Sequence, residues 1–196
     1  GDAAEKAGSK SSGAAKKATE DALEASKKVY EQQRDLGKLS LEEQAERLVQ
    51  LKNKYSDTAE HIIAVNEYGQ SEFKRIIQER VELGELTAEE QVAQYEYVYN
   101  TFCKSESDKL AWTKTISSQI VENAKSAYEE METFSEKDAE TRVAYLESIA
   151  QQYPKYREVV EACNEGIIDI LGQTSKDVDN LDEDTLQSRI DYLNKY

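Results

Sequence analysis

One histidine, two cysteines and one run of acidic residues are the side chains of this sequence whose types could do chemistry. An imidazole such as that of His61 is a candidate proton carrier, but general-base catalysis also needs a nucleophile within hydrogen-bond reach. No plausible nucleophile stands at helical spacing from it, and one histidine in 196 residues cannot build an HExxH zinc motif. His61 is therefore expected as a solvent-facing or boundary residue one turn into a long helix. Cys103 and Cys163 lie 60 residues apart without a CxxC, which reads as neither a disulfide framework nor a zinc site. Cys103 falls at a predicted helix boundary, and Cys163 shares an apolar face with Val159, Val160 and Ile167, so it reads as a small core residue of a reduced protein. The acidic run from Asp177 through Asp179 and Asp182 to Asp184 suggests a calcium loop but fails as an EF-hand. Leu181 stands at the fifth ligand position, no glycine follows it, and the twelfth position is Ser188. There is no GxGxxG or GxxxxGK[ST] to cradle a phosphate. The residues thus name no catalytic, cofactor-binding or metal-ligating position and imply no cofactor.

The elements that carry these residues follow from one stretch, Leu39-Ser40-Leu41-Glu42-Glu43-Gln44. It returns as Leu86-Thr87-Ala88-Glu89-Glu90-Gln91, Phe134-Ser135-Glu136-Lys137-Asp138 and Leu181-Asp182-Glu183-Asp184, at spacings of 47, 48 and 47 residues. Each version offers a side-chain oxygen to the free N–H groups of a helix's first turn, and acidic residues follow near the positive end of the dipole. Ser40 with Glu43 and Thr87 with Glu90 have capping-box spacing, and the apolar residue ahead of each cap is placed to act as a staple. Four helix starts at one period predict an all-α array of repeats, each a short helix plus a long one.

Taken in order, residues 1–19 are mostly Gly, Ala, Ser and Lys with no large apolar side chain and read as a flexible linker. A lead-in helix is predicted over 20–36, and repeats over 37–83, 84–131 and 132–179, with a truncated fourth over 180–196. The helix pairs within them are predicted at about 41–55 and 58–83, 88–102 and 106–131, and 136–152 and 154–178. Asp57 with Glu60 and Ser105 with Asp108 would cap long helices, and Pro154 would open the one in the third repeat. The short helices carry narrow, heptad-like stripes: Leu41, Ala45, Leu48, Leu51 and Tyr55, then Ala88, Val92, Tyr95, Val98 and Phe102. Leu186, Ile190 and Leu193 would continue the pattern. So regular a seam needs a facing helix, either the chain's own long helix or another chain, so protein partners or self-association through the stripes are expected. The twelve tyrosines are better read this way too, with Tyr55, Tyr95 and Tyr153 on stripes.

Composition narrows the function classes. The chain has a formal net charge of -15, and since residues 1–36 balance seven Lys/Arg against seven Asp/Glu, the remainder carries all of it. Such a surface lacks the clustered cations that duplex nucleic acid requires. No apolar run approaches membrane-spanning length and no signal-peptide pattern is present. Opening at Gly1 and stopping about fifteen residues into the fourth copy, the sequence reads as a piece of a longer protein.

The run Gly-x-Leu-Ser-Leu-Glu-Glu-Gln, a fifteen-residue amphipathic helix closing on Lys54-Tyr55, a polar break and a longer charged helix leading to Gly-x-Leu-Thr-Ala-Glu-Glu-Gln together resemble the helical repeats of phage tail tape-measure proteins. The likeness spans residues 37–196, and the Ala/Ser/Lys/Gly lead-in is similar to low-complexity stretches of that family. The family usually places a Trp mid-way along the short helix, where this chain has Leu48, Tyr95, Val143 and Ile190. The resemblance implies a structural component of the virion tail that sets tail length, assembled in the bacterial cytoplasm. The alternative is a helical-repeat binding module of a bacterial surface or secreted protein. An enzyme is not expected on either reading.

Overall fold

The computed structural model describes residues 2–132 and 139–177, and every regular element among them is an α-helix. These are α1 (Asp2–Asp35), α2 (Leu41–Lys54), α3 (Ala59–Glu82), α4 (Ala88–Phe102), α5 (Glu106–Glu132), α6 (Ala139–Gln152) and α7 (Arg157–Asp177). The all-α expectation holds, and the observed bounds follow the predicted pairs to within about three residues. The expected caps at Phe134–Asp138 and Leu181–Asp184, the calcium-like run beyond Asp177 and the truncated fourth repeat lie outside the described residues. The chain divides into two compact units, Gly1–Lys109 and Leu110–Tyr196, and α5 runs across the division.

In the first unit, helices adjacent in sequence pack on one another: α1 on α2, α2 on α3, and α3 on α4. Their common core holds Leu23 and Tyr30 from α1, Leu48 and Leu51 from α2, Val65, Phe73, Ile76 and Ile77 from α3, and Val92, Tyr95, Val98 and Phe102 from α4. In the second unit α6 packs on α7. Val143 and Leu146 of α6 are buried there, as are Val159, Cys163, Ile167 and Ile170 at helical spacing along α7.

The turns that reverse the chain are built alike. After α1 and α3, Gly37 and Gly84 adopt φ of 65° and 71°, a left-handed conformation that costs a glycine little. The N–H of Lys38 reaches back to Gln33 O and that of Gly37 to Arg34 O; Glu85 to Arg80 and Gly84 to Val81 repeat the pattern. These are Schellman closures, which satisfy the last carbonyls of each helix. Three residues later Ser40 and Thr87 start α2 and α4 with complete capping boxes: Ser40 Oγ accepts from Glu43 N at 3.2 Å while Glu43 Oε2 accepts from Ser40 N at 2.7 Å. Thr87 and Glu90 match this at 3.2 and 2.8 Å. The fourth helical position, where a staple would place an apolar partner, holds Gln44 or Gln91 instead, both buried. Gln44 anchors itself by donating to Leu39 O at 3.1 Å. Replacing Ser40 or Thr87 by Ala is expected to lower stability by about 1 kcal/mol each, read from urea melts.

Four expectations are corrected. Residues 2–19 do not form a linker without regular structure but continue α1 back to Asp2; alanine and lysine are strong helix formers, and propensity extends a helix whose C-terminal half is already anchored by packing. Thr58, not Asp57, caps α3, because its hydroxyl is the one that accepts His61 N, at 3.2 Å. Pro154 does not open α7; it sits in a turn in which Tyr156 N donates to Tyr153 O, and α7 starts at Arg157 behind the buried Tyr156. His61 is neither solvent-facing nor at a boundary but buried. The capping residue and the apolar face of α3 together turn its ring inward.

Candidate functional site

His61 stands at the third position of α3, where a capping box would put a glutamate. Its Nδ1 lies 2.9 Å from Asp57 Oδ1, so the side chain reaches back to the residue ahead of the cap. The ring meets Tyr55 edge-on, with centroids 6.1 Å apart, and the Tyr55 hydroxyl donates to Ala22 O at 2.9 Å and lies 2.6 Å from Ser26 Oγ. A carboxylate-imidazole pair is the pairing that orients a general base, but here the burial is reversed. The carboxylate is 57% exposed and the imidazole 3%. An imidazole that serves a substrate needs an open face, whereas this one is buried between Asp57 and Tyr55, and Tyr55 in turn ties the end of α2 to α1.

The His61 bond, chief among its causes, holds the Asp57 carboxyl below its usual range. The backbone N–H of Ser40, then its hydroxyl, does the same for Glu43. A carboxyl depressed in the folded state adds stability that is fully present above its ordinary value and is lost as pH falls through the folded value. Stability is therefore expected to decline as pH drops below the ordinary values of 4.5 and 3.8 for these two groups. In an E43Q/D57N variant that decline should be shallower, and acid titrations followed by circular dichroism would check it.

A second polar cluster joins α1, α2 and α3 around Glu72, a side chain 12% exposed. Its Oε2 accepts from Tyr30 (3.1 Å), Arg34 (2.8 Å) and Arg75 (3.2 and 3.3 Å). Arg75 also bonds Glu79 at 2.9 Å and the carboxamide oxygen of Gln44. Tyr68, edge-on to Tyr30, donates to Glu31 at 3.0 Å. Burial, then the Glu72 charge, raises the Tyr30 phenol far above its usual value, and burial followed by the Glu31 bond does the same to Tyr68. Both remain donors, and the carboxylates they would have to deprotonate against hold them so. Sequence reasoning missed this cluster because its members are spread along the chain from Tyr30 to Glu79. Gln44 and Gln91 did carry a signal, the same amide at the same place in both Glu-Glu-Gln runs.

Cys103 closes α4, its thiol pushed up to about 11 by burial, and Cys163 is likewise raised by burial. A thiol kept protonated is a poor nucleophile. In the second unit Cys163 lies along a cleft of about 310 Å³ together with Val121, Ala124, Tyr128, Leu146 and Gly166, with Lys125 and Asp169 also lining it. In the first unit a groove of about 560 Å³ runs between α2 and α4 over Phe73.

The structure brings together His61 with Asp57 and places Cys103 and Cys163 in separate units. Most of the stripe residues expected to seek a partner are covered by the chain itself: Leu48 is 1% exposed, Val98 and Phe102 0%, and Leu51, Tyr55, Val92 and Tyr95 are also buried, whereas Leu41 and Ala45 are half-buried and Ala88 is exposed. Among the described residues no group of three or more His, Cys, Asp or Glu is placed to hold a metal, and no helix is long and apolar enough to cross a membrane. In comparisons with known proteins, no family model, no curated protein and no solved structure matches this chain.

Proposed function

We propose that the chain is a helical-repeat module that acts by binding other proteins rather than by catalysis. The observation that carries this reading is the burial, within one chain, of Leu48, Leu51 and Tyr55 from the first short-helix stripe and of Val92, Tyr95, Val98 and Phe102 from the second. Once α3 covers α2 and α4, those seams are spent on folding, and what remains for function is the outer surface and the grooves between helices. An acidic exterior keeps such a module soluble and biases it towards cationic partners. Mass measured by light scattering over a wide concentration range tests the reading. A monomer throughout is the expected result, and an oligomer held through the stripes would overturn it.

A second reading, the tape-measure-like segment implied by the resemblance, is favoured by a different observation. Gly37 and Gly84, Ser40 and Thr87, Gln44 and Gln91, and Leu48 and Tyr95 occupy equivalent places 47 residues apart. A unit that carries its own turn, cap and core adds length by adding copies. On this reading the chain is a structural spacer of a virion tail, and an extended oligomer in solution would support it over the binding module.

A further inference from the structure

We infer that the groove between α2 and α4 is a docking site for a cationic, amphipathic segment of another protein. This rests on the reading of the chain as a protein-binding module and names the class of partner. Phe73 of α3 forms the floor, 3% exposed, and Tyr97 of α4 leans on it with ring centroids 5.7 Å apart. Tyr97 is 42% exposed, an aromatic left in water beside a groove rather than folded into the core. Ala45 and Val49 of α2 supply the opposite wall, both half-buried. Glu42 and Glu46, one turn apart on the same helix and both exposed, edge that wall. Gln50 and Gln94 complete the lining, and among the described residues that line the groove none is a cation to offset its two carboxylates.

The chemistry selects the occupant. An apolar side chain fits over Val49 and Phe73, a guanidinium or ammonium fits across the exposed Tyr97 ring, and the same cation reaches Glu42 or Glu46. An anionic segment would meet uncompensated carboxylates, and a wholly apolar one would leave them unpaired. The groove lies between two successive short helices that pack on one long helix, the place where a helix-in-groove partner can lay an amphipathic face.

The test is fluorescence anisotropy on the full 196-residue chain with a short fluorescein-labelled peptide of Arg and Leu at helical spacing, and a Glu/Leu peptide of the same pattern for comparison. An acidic protein attracts any cation, so two double variants of equal charge are compared. E42Q/E46Q removes the groove carboxylates, and E129Q/E165Q removes two exposed ones from the second unit. The expected result is binding of the Arg/Leu peptide alone, weakened roughly tenfold by E42Q/E46Q and less than twofold by E129Q/E165Q. Tyr97→Ala should weaken it severalfold, with melts confirming that each variant is folded. Equal losses from both double variants, equal binding of the Glu/Leu peptide, or no binding at all would overturn the inference while a monomeric mass leaves the binding-module reading standing. A dimer abolished by Tyr97→Ala would also overturn it, by making the occupant a second copy.

Discussion

Gly69→Ala is expected to destabilise the protein even though alanine is the better helix former. Gly69 lies in the middle of α3, and a Cβ there would overlap Cε1 and Cδ1 of the Phe102 ring and come within 3.1 Å of Cζ. Phe102 is fully buried, stacked at an angle against Phe73 with centroids 5.2 Å apart, and its own carbonyl accepts from Gln70 Nε2 at 3.3 Å. The ring therefore has nowhere to retreat. Overpacking of this kind costs roughly 1–3 kcal/mol, more than the ~1 kcal/mol that Gly to Ala returns in helix propensity. Phe102→Ala alone should cost about 4 kcal/mol by leaving a cavity. In that background the sign reverses: with the ring gone, Gly69→Ala should stabilise by about 1 kcal/mol. Urea melts of the four proteins close the cycle. A Gly69→Ala that stabilises equally in both backgrounds would show that α3 and α4 do not meet through this pair.

Leu48→Asp is expected to unfold the protein. Leu48 is 1% exposed on α2, which packs against both α1 and α3, and no cation is paired with that position. Burying an unpaired carboxylate while removing the leucine's apolar contacts costs on the order of 4 kcal/mol or more, a large part of a domain's total stability. Loss of helical signal and of a cooperative melt should follow in a protein that was monomeric before the change. Ile63→Asp is the matching control, since Ile63 is 58% exposed on α3, and it should shift stability by no more than about 0.5 kcal/mol. If Leu48→Asp instead released folded monomers from an oligomer, the stripe would belong to an interface between chains.

The sequence made the helices legible because their signals are local. Ser40, Thr87 and Ser105 announce helix starts by hydroxyl chemistry, and Ser105 Oγ does accept from Asp108 N at 3.0 Å. Gly37 and Gly84 announce the stops. The phase of Leu48 and Tyr95 told which face is apolar, but not which surface would cover it, because a heptad-like seam looks the same whether its partner is in the same chain or another. His61 was misplaced for a related reason. Read by type it is a polar residue near a helix start, whereas in the fold it is buried with the Tyr55 ring edge-on against it. The Glu72 cluster stayed hidden because Tyr30 and Arg34, Gln44, and Arg75 come from three different helices that no repeat spacing relates. That Phe102 fills the space of the side chain Gly69 lacks could be learned only from the packing of α4 on α3. The α2/α4 groove needs three helices in place before Glu42, Glu46 and Tyr97 become neighbours.

Amide hydrogen exchange along α2 and α4, measured at two widely separated protein concentrations, tests most directly whether the stripes are covered within one chain. The expected result is strong protection at Leu48, Leu51, Val98 and Phe102 that does not change on dilution, because α3 provides the cover. Protection that fades as the protein is diluted would mean that the cover comes from another chain, and would contradict the account.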